Sequence, residues 1–289
     1  EVNSAWMCDS GRMHYHTLEA KRRLTDPMIK SGKGHEVIDW PTAILKATKG
    51  LSKFSGEEIA IIGSAGMTNE ELFLLKTLSS TLNAGIVDVV KVEGEGDEYL
   101  SHKDKRPNTN GAKAILKLRN PGSKINTIKK RIKDGEIKAL LVYGENVIKH
   151  GIDQETLKNL KFLVCSHIQA NSLAEFSNVI LPGSGYAEKR GSMINATGRL
   201  QVLNKAIEPP GQSREDWEIL QDLNRSLDGK DQITEIADLF SEMANQVPIL
   251  KQKTLSSIGD LGVNVVETGE TVPLLEREAK RVREGLIVG

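Results

Sequence analysis

Cysteine is almost absent: the 289-residue chain has two, Cys8 and Cys165. Two thiols cannot ligate an iron–sulfur cluster, which takes about four. Nor can they build a structural zinc site without histidine. A disulfide between them has no support in the sequence, and a reducing compartment fits better. Cys165 closes the run Phe162-Leu163-Val164-Cys165, where a buried, inert thiol is expected. Long apolar runs are also missing, none approaching the ~20 residues that span a bilayer. Net charge is zero, with 39 basic and 39 acidic residues, so no global field favours nucleic acid or an anionic membrane. The two signs are mixed, and Lys129-Lys130-Arg131 reads as a solvated helix face.

Catalytic signatures are equally sparse. There is no H-E-x-x-H and no G-x-x-x-x-G-K-[ST]. Gly183-Ser184-Gly185 lacks the spacing of a nucleophile elbow. Ser64 sits in a strand-to-helix turn without a base partner that the sequence can place. The six histidines are scattered; His14 and His16 share a face if extended, but no third ligand lies near them. No carboxylate pair is brought together by the sequence alone.

What is present is an α/β pattern. Residues 1–54 read as an irregular lead-in: Asp9-Ser10-Gly11 and Asp26-Pro27 are turn signals, and Trp40-Pro41 opens a helix that Gly50 would stop. Residues 55–227 alternate strands and helices, which predicts an open, mostly parallel sheet flanked by helices. Ile59-Ala60-Ile61-Ile62 is a strand apolar on both faces. Gly63 and Gly66 turn the chain, and Thr68 with Glu71 forms a capping box for the helix bearing Leu72, Leu75, Leu78 and Leu82. Two glycines fall short of a full G-x-G-x-x-G, although the helix start offers amides to an anion. The polar stretch 93–111 reads as a long surface loop. Ser213, with Asp216 three residues on, reads as the cap of a helix bearing Trp217, Leu220, Leu223 and Leu227. Residues 228–289 are expected to be one more helix, from about Gln232 to Ala244, followed by an extended tail of little regular pattern, in which the charged stretch Glu276 to Glu284 reads as a solvated helix.

The stretch that organises the chain is Asn178–Gln201. A strand, Val179-Ile180-Leu181, stops at Pro182-Gly183, and a charged loop Glu188-Lys189-Arg190-Gly191 follows. Asn195, Gly198, Arg199 and Gln201 then lie just beyond it. Ligands of open α/β sheets sit past the carboxyl ends of strands, so this is a candidate binding edge.

Several phrases carry a resemblance. Trp6-Met7-Cys8-Asp9-Ser10-Gly11-Arg12 with Arg23-Leu24-Thr25-Asp26-Pro27, Arg106-Pro107-Asn108-Thr109-Asn110-Gly111, Glu188-Lys189-Arg190-Gly191-Ser192, Gly198-Arg199-Leu200-Gln201 and Asp216-Trp217 occur in an order that resembles the molybdopterin oxidoreductase family. They are most similar to the C-terminal part of one degenerate branch of that family, the 75 kDa iron–sulfur subunits of NADH:quinone oxidoreductase (respiratory complex I). The resemblance implies a reduced fold of that family and a non-catalytic scaffold module that has lost its molybdopterin. Gly63, Gly66, Asn195, Gly198, Arg199 and Gln201 would then be a vestigial pterin edge, with Arg199 and Gln201 bonded to the protein's own loops. It implies no cofactor in this segment, iron–sulfur clusters in a missing upstream region or in partner subunits, and a chain that is a piece of a longer or split protein. Partners would be other subunits of a multi-subunit NADH oxidoreductase, with no nucleic acid and no membrane insertion. The location would be cytoplasmic, with peripheral attachment at the inner membrane face through those subunits as an option. The alternatives are a molybdenum or tungsten pterin oxidoreductase fragment of the formate dehydrogenase kind, and a stand-alone α/β protein binding an anion or nucleotide.

Overall fold

A computed structural model describes residues 9–19, 21–97, 101–230, 233–270 and 273–285. The Trp6-Met7-Cys8 phrase and Gln232 lie outside them. A short helix α1 (Asp9–Arg12) precedes a hairpin, β1 (Met28–Ser31) and β2 (Gly34–Val37), and helix α2 (Trp40–Leu51). The central units are β3 (Ile59–Ser64), α3 (Asn69–Thr81), β4 (Ile86–Val90), α4 (Thr109–Leu116), α5 (Ile125–Lys133), β5 (Ala139–Tyr143), α6 (Gln154–Leu157), β6 (Phe162–His167) and β7 (Val179–Pro182). Then come β8 (Gly191–Ile194), β9 (Arg199–Leu203), α7 (Asp216–Asp228), α8 (Ile236–Gln246), α9 (Leu255–Ile258), β10 (Val263–Asn264) and α10 (Pro273–Arg283).

Seven strands form the main sheet in the order β2-β1-β7-β6-β5-β3-β4. The five from β7 to β4 are mutually parallel, and the hairpin joins antiparallel through Met28↔Ile180. The described residues up to 54 therefore supply two strands and the helix α2 to the main body rather than a separate core. The parallel strands are apolar on both faces because each face is covered. Ile59 and Ile61 point into a cluster with residues of α2, α3, α7 and α8. Ala60 and Ile62 point the other way, into a cluster with Ile125, Ile128 and Ile132 of α5. Among the described residues no helix is long and apolar enough to cross a membrane.

Several sequence expectations need correction. Gly50 does not stop α2 but lies inside it, where a Cβ would sit 2.0 Å from Cζ of Phe162; the glycine is there for close helix–sheet approach. Ser213 does not cap α7: the N-cap is Glu215, and the Ser213 hydroxyl donates to the Leu24 carbonyl at 2.8 Å. The polar stretch 93–111 is not all surface loop. Its end is buried at Asn108 and enters α4, which has no strong sequence signal because Asn and Gly are poor helix formers. The segment after α8 is also more regular than expected, because β10 pairs with β9 and completes a second sheet, β10-β9-β8.

Replacing Gly50 by alanine in a helix interior ordinarily gains about 1 kcal/mol. Here overpacking against Phe162 should cost about 1–3 kcal/mol. We expect a net loss, read as a lower urea midpoint at unchanged slope.

Candidate functional site

The carboxyl ends of β3, β5, β6 and β7 all emerge at one edge, the place where open α/β sheets hold ligands. Four charged groups meet there. Past β3, the Ser64 hydroxyl donates to Glu145 Oε1 at 2.5 Å and accepts from the Gly66 amide at 2.9 Å. Glu145 follows β5 and is buried; Arg106 donates to it at 2.5 Å, and His150 Nε2 lies 3.2 Å from its other oxygen. The Arg106 Nε is buried without a partner among the described residues.

The second group is centred on Lys189, which follows β7. Its ammonium donates to Glu71 at 3.0 Å and to Asp216 at 3.3 Å. Glu71 is at the same time the capping-box residue of α3, accepting from the Thr68 amide at 2.9 Å. Asp216 is the first residue of α7, and the Ser184 hydroxyl donates to it at 3.1 Å. Both carboxylates thus lie at helix N-termini, where the macrodipole favours negative charge. The residues on either side of Lys189 act alike. Glu188 accepts two bonds from Arg23, at 2.7 and 2.6 Å. Arg190 donates to Glu215 at 2.8 Å. The loop Glu188–Gly191, read from sequence as a charged loop of the candidate binding edge, has Glu188 and Lys189 buried and Arg190 half-buried, because each charge meets an opposite one on another element.

Electrostatics follow from this burial. Burial pushes Lys189 down, but Glu71 and Asp216 together outweigh it and hold the ammonium above the ordinary lysine value. Burial raises the Glu71 carboxyl; Lys189 opposes the rise and Asp216 adds to it. Glu70, also fully buried, is pushed up to about 7 by burial, against hydrogen bonds from the Ser192 amide and hydroxyl, each 2.8 Å. The His167 imidazole is lowered by burial, with the Gln169 carbonyl and Asp216 opposing.

The six residues of the expected pterin edge fall into two places. Gly63 and Gly66 lie at the end of β3; a Cβ on Gly63 would come 2.9 Å from Leu75 Cδ2, so that glycine serves helix–strand packing. Asn195, Gly198, Arg199 and Gln201 belong to the β8–β9 hairpin in the other sheet. Asn195 Oδ1 accepts from the Thr197 amide at 3.1 Å and the Arg199 amide at 2.9 Å, which shapes the turn. Gly198 has φ +84°, and a Cβ there would strike the Val266 carbonyl at 1.9 Å. Gln201 Oε1 accepts from Asn195 at 3.2 Å, and Arg199 donates to the Leu261 and Gly262 carbonyls at 3.0 and 3.3 Å. Asn108 and Asn110 of the Arg106–Gly111 phrase link the two places. Asn108 bonds Met67 and Ile194 backbone groups, each at 2.7 Å, and Asn110 bonds the Asn195 carbonyl at 2.8 Å.

Sequence reasoning missed Glu70, Glu145, Arg106 and Asn108 as site residues. The available signal was chemical: carboxylates in the first turn of a helix that is apolar elsewhere, and a charged run directly after a buried strand.

Three comparisons bear on this arrangement. A family model described as "Molybdopterin oxidoreductase" matches residues 89–226. The chain is 36% identical over 118 residues to the F420-dependent formate dehydrogenase subunit alpha of Methanocaldococcus jannaschii, covering 39% of this chain and 18% of that protein. It is 34% identical over 121 residues to the NADPH-Fe(3+) oxidoreductase subunit alpha of Geobacter sulfurreducens, covering 40% and 14%. It is 41% identical over 83 residues to the mitochondrial NADH-ubiquinone oxidoreductase 78 kDa subunit of Candida albicans, covering 28% and 12%. These matches span a fifth or less of the relatives' length. Among solved structures, acetylene hydratase from Pelobacter acetylenicus is similar with a TM-score of 0.52 at 8% identity, over 94% of this chain and 73% of that one, a likeness of fold.

Two outcomes test the buried charges. Lys189→Met strands Glu71 and Asp216 inside, and breaking such a pair should cost about 3–5 kcal/mol; Arg199→Ala, at a half-exposed hairpin, should cost less than about 1 kcal/mol. Denaturant titration of both variants checks this. Glu70 also fixes a pH slope. Its folded value, about 7, lies above the ordinary 4.5, so the folded state binds the extra proton between them. Its contribution is fully present below pH 4.5 and is lost as pH rises through about 7. Glu70→Gln should gain stability relative to the parent chain across that window, measured by urea unfolding at its two ends.

Proposed function

Residues 89–226 of this chain are a molybdopterin oxidoreductase-family domain, and from that premise we propose that the protein is a non-catalytic scaffold module. It would belong to an electron-transfer subunit of an NADH:quinone oxidoreductase of the complex I type, or of a related NAD-linked oxidoreductase. The observation that supports this is the closure of charge at the strand ends. A phosphate-bearing pterin calls for donors whose charge is still uncommitted. Here Arg23, Arg106, Lys189 and Arg190 each face a carboxylate of the chain itself. Cys165, the one cysteine among the described residues, is buried in β6, and burial pushes its thiol up to about 12, away from the thiolate a metal would take. This donor set is a poor match for a pterin-bound metal, and no chemistry is assigned to one.

On this reading the network serves rigidity. Iron–sulfur clusters would be carried upstream or by partner subunits. The module would dock against those subunits on the cytoplasmic side, with any membrane attachment made through them. Arg106 favours a second reading. Its Nε has no hydrogen-bond partner among the described residues, and it lies beside the Gly66 turn. An arginine so placed is what an anion- or nucleotide-binding protein, or a surviving formate dehydrogenase-like fragment, would retain.

Elemental analysis of the purified chain separates these. We expect no molybdenum, tungsten or iron, and no thermal shift with pyrophosphate or nucleotides. Stoichiometric molybdenum or tungsten overturns the scaffold reading in favour of a pterin enzyme. A nucleotide at a hundred times its dissociation constant would add about 2.7 kcal/mol, and a shift of that size, abolished by Arg106→Ala, would favour the anion-binding reading.

A further inference from the structure

Strand β2 is the end strand of the main sheet, next only to β1. Which of its backbone groups face outward follows from the register. The Ile38 amide donates to the Pro27 carbonyl at 2.9 Å, and the Lys30 amide points away from β2, to the Asn178 carbonyl, also at 2.9 Å. Hydrogen-bonded and non-hydrogen-bonded pairs alternate along an antiparallel ladder. The pairs Lys30↔His35 and Met28↔Val37 are therefore of the second kind. The amides and carbonyls of His35 and Val37 project from the sheet edge, and among the described residues nothing pairs with them.

The side chains of the same two residues share one face of the hairpin, because opposed residues do so and neighbours alternate. Val37 on that face is 58% exposed. His35 Nε2 lies 2.8 Å from the Ser177 carbonyl, and the residue lines a groove of about 730 Å³ at the hairpin tip together with Lys30, Lys33, Lys158 and Lys161. The groove has one carboxylate, Glu175, at its border. Lys158 is paired with Glu155 at 2.6 Å; Lys30, Lys33 and Lys161 are exposed and in no ion pair among the described residues. In a chain of zero net charge, Lys30 and Lys33 of the hairpin outnumber Glu175, the one carboxylate of the groove, while Glu36 of β2 alternates to the other face; this is a local excess of positive charge beside an open strand edge.

We infer that this edge receives an extended acidic segment of a partner subunit, which adds a strand beside β2. Backbone pairing at His35 and Val37 would give the register. The side chains set the preference: an apolar residue beside Val37, and an acidic one two positions away beside His35, Lys30 and Lys33. A second copy of this chain is a poor occupant, because edge-to-edge pairing would bring the two lysine sets together. The inference rests on the reading of the chain as one subunit among several. It is tested without reference to metal content, so a failure at this edge leaves that reading standing.

The probe is a short fluorescent peptide of alternating aspartate and valine, titrated into the full chain and followed by anisotropy. We expect saturable binding, weakened at high salt. Reversing charge at Lys30→Glu and Lys33→Glu should weaken it about tenfold or more. Val37→Pro removes an outward amide but no hairpin bond, and an edge strand tolerates it; it should weaken binding about tenfold as well. Hydrogen exchange at the His35 and Val37 amides should slow when the peptide binds. Unchanged binding in either variant, or equal binding of a lysine–valine peptide, overturns the inference. So does concentration-dependent dimerisation abolished by Val37→Pro, which would make a second copy the occupant. Co-sedimentation with phosphatidylserine vesicles that the lysine reversals abolish would overturn it in favour of a lipid surface.

Discussion

One ammonium group ties the strand-end region together. Lys189 reaches two helix N-termini at once, through Glu71 of α3 and Asp216 of α7. Each carboxylate is already favoured where it stands by the unpaired amides of its helix. Neither is fully balanced by them once water is removed. The lysine supplies the missing charge to both, and so binds two helices to the loop leaving β7. Its neighbours extend the same device: Glu188 holds Arg23 of the N-terminal segment and Arg190 holds Glu215. Three consecutive side chains therefore stitch three separate parts of the chain to one loop. Buried ion pairs seldom add net stability over apolar packing of equal volume. What this one adds is uniqueness of arrangement: any other loop position leaves a charge stranded.

That device also explains which parts of the structure were legible in the sequence. The β3–α3 unit was readable because its signals are local: an apolar run, two glycines, then Thr68 and Glu71 three residues apart. The leucines of α3 were readable from helical spacing. The run Glu188–Arg190 was readable as part of the candidate edge, but its ion pairs were not, because the partners lie far along the chain. Ser213 misled for a related reason: its hydroxyl answers a tertiary partner, Leu24, instead of the helix it precedes. Gly50 carries a message about the ring of Phe162, not about helix ends. The Asn195–Gln201 phrase was legible as a candidate binding edge and as a family resemblance. Its donors prove to be engaged with the hairpin itself and with the 261–262 segment.

The fold thus keeps the geometry of a ligand-binding sheet edge while spending its polar groups on itself. Glu71 is both a helix cap and half of an ion pair; Asn108 joins the α3 turn to β8. Residues with two structural duties leave little freedom to accept a third partner. The same economy makes the edge rigid.

The hairpin β1–β2 has a consequence in time. Met28 lies near the start of the described chain, yet its strand pairs with Ile180 of β7. The parallel strands β3 to β7 can assemble among themselves as synthesis proceeds, but the hairpin has no sheet to join until β7 exists. Contacts so distant in sequence form slowly. During that interval β7 is itself a bare edge, apolar on both faces and open to other nascent chains. Docking of the hairpin ends the exposure by moving the sheet boundary from Val179–Pro182 to the short, lysine-flanked Gly34–Val37. The N-terminal segment is then a late-arriving cover whose timing governs how long the folding chain is vulnerable to aggregation.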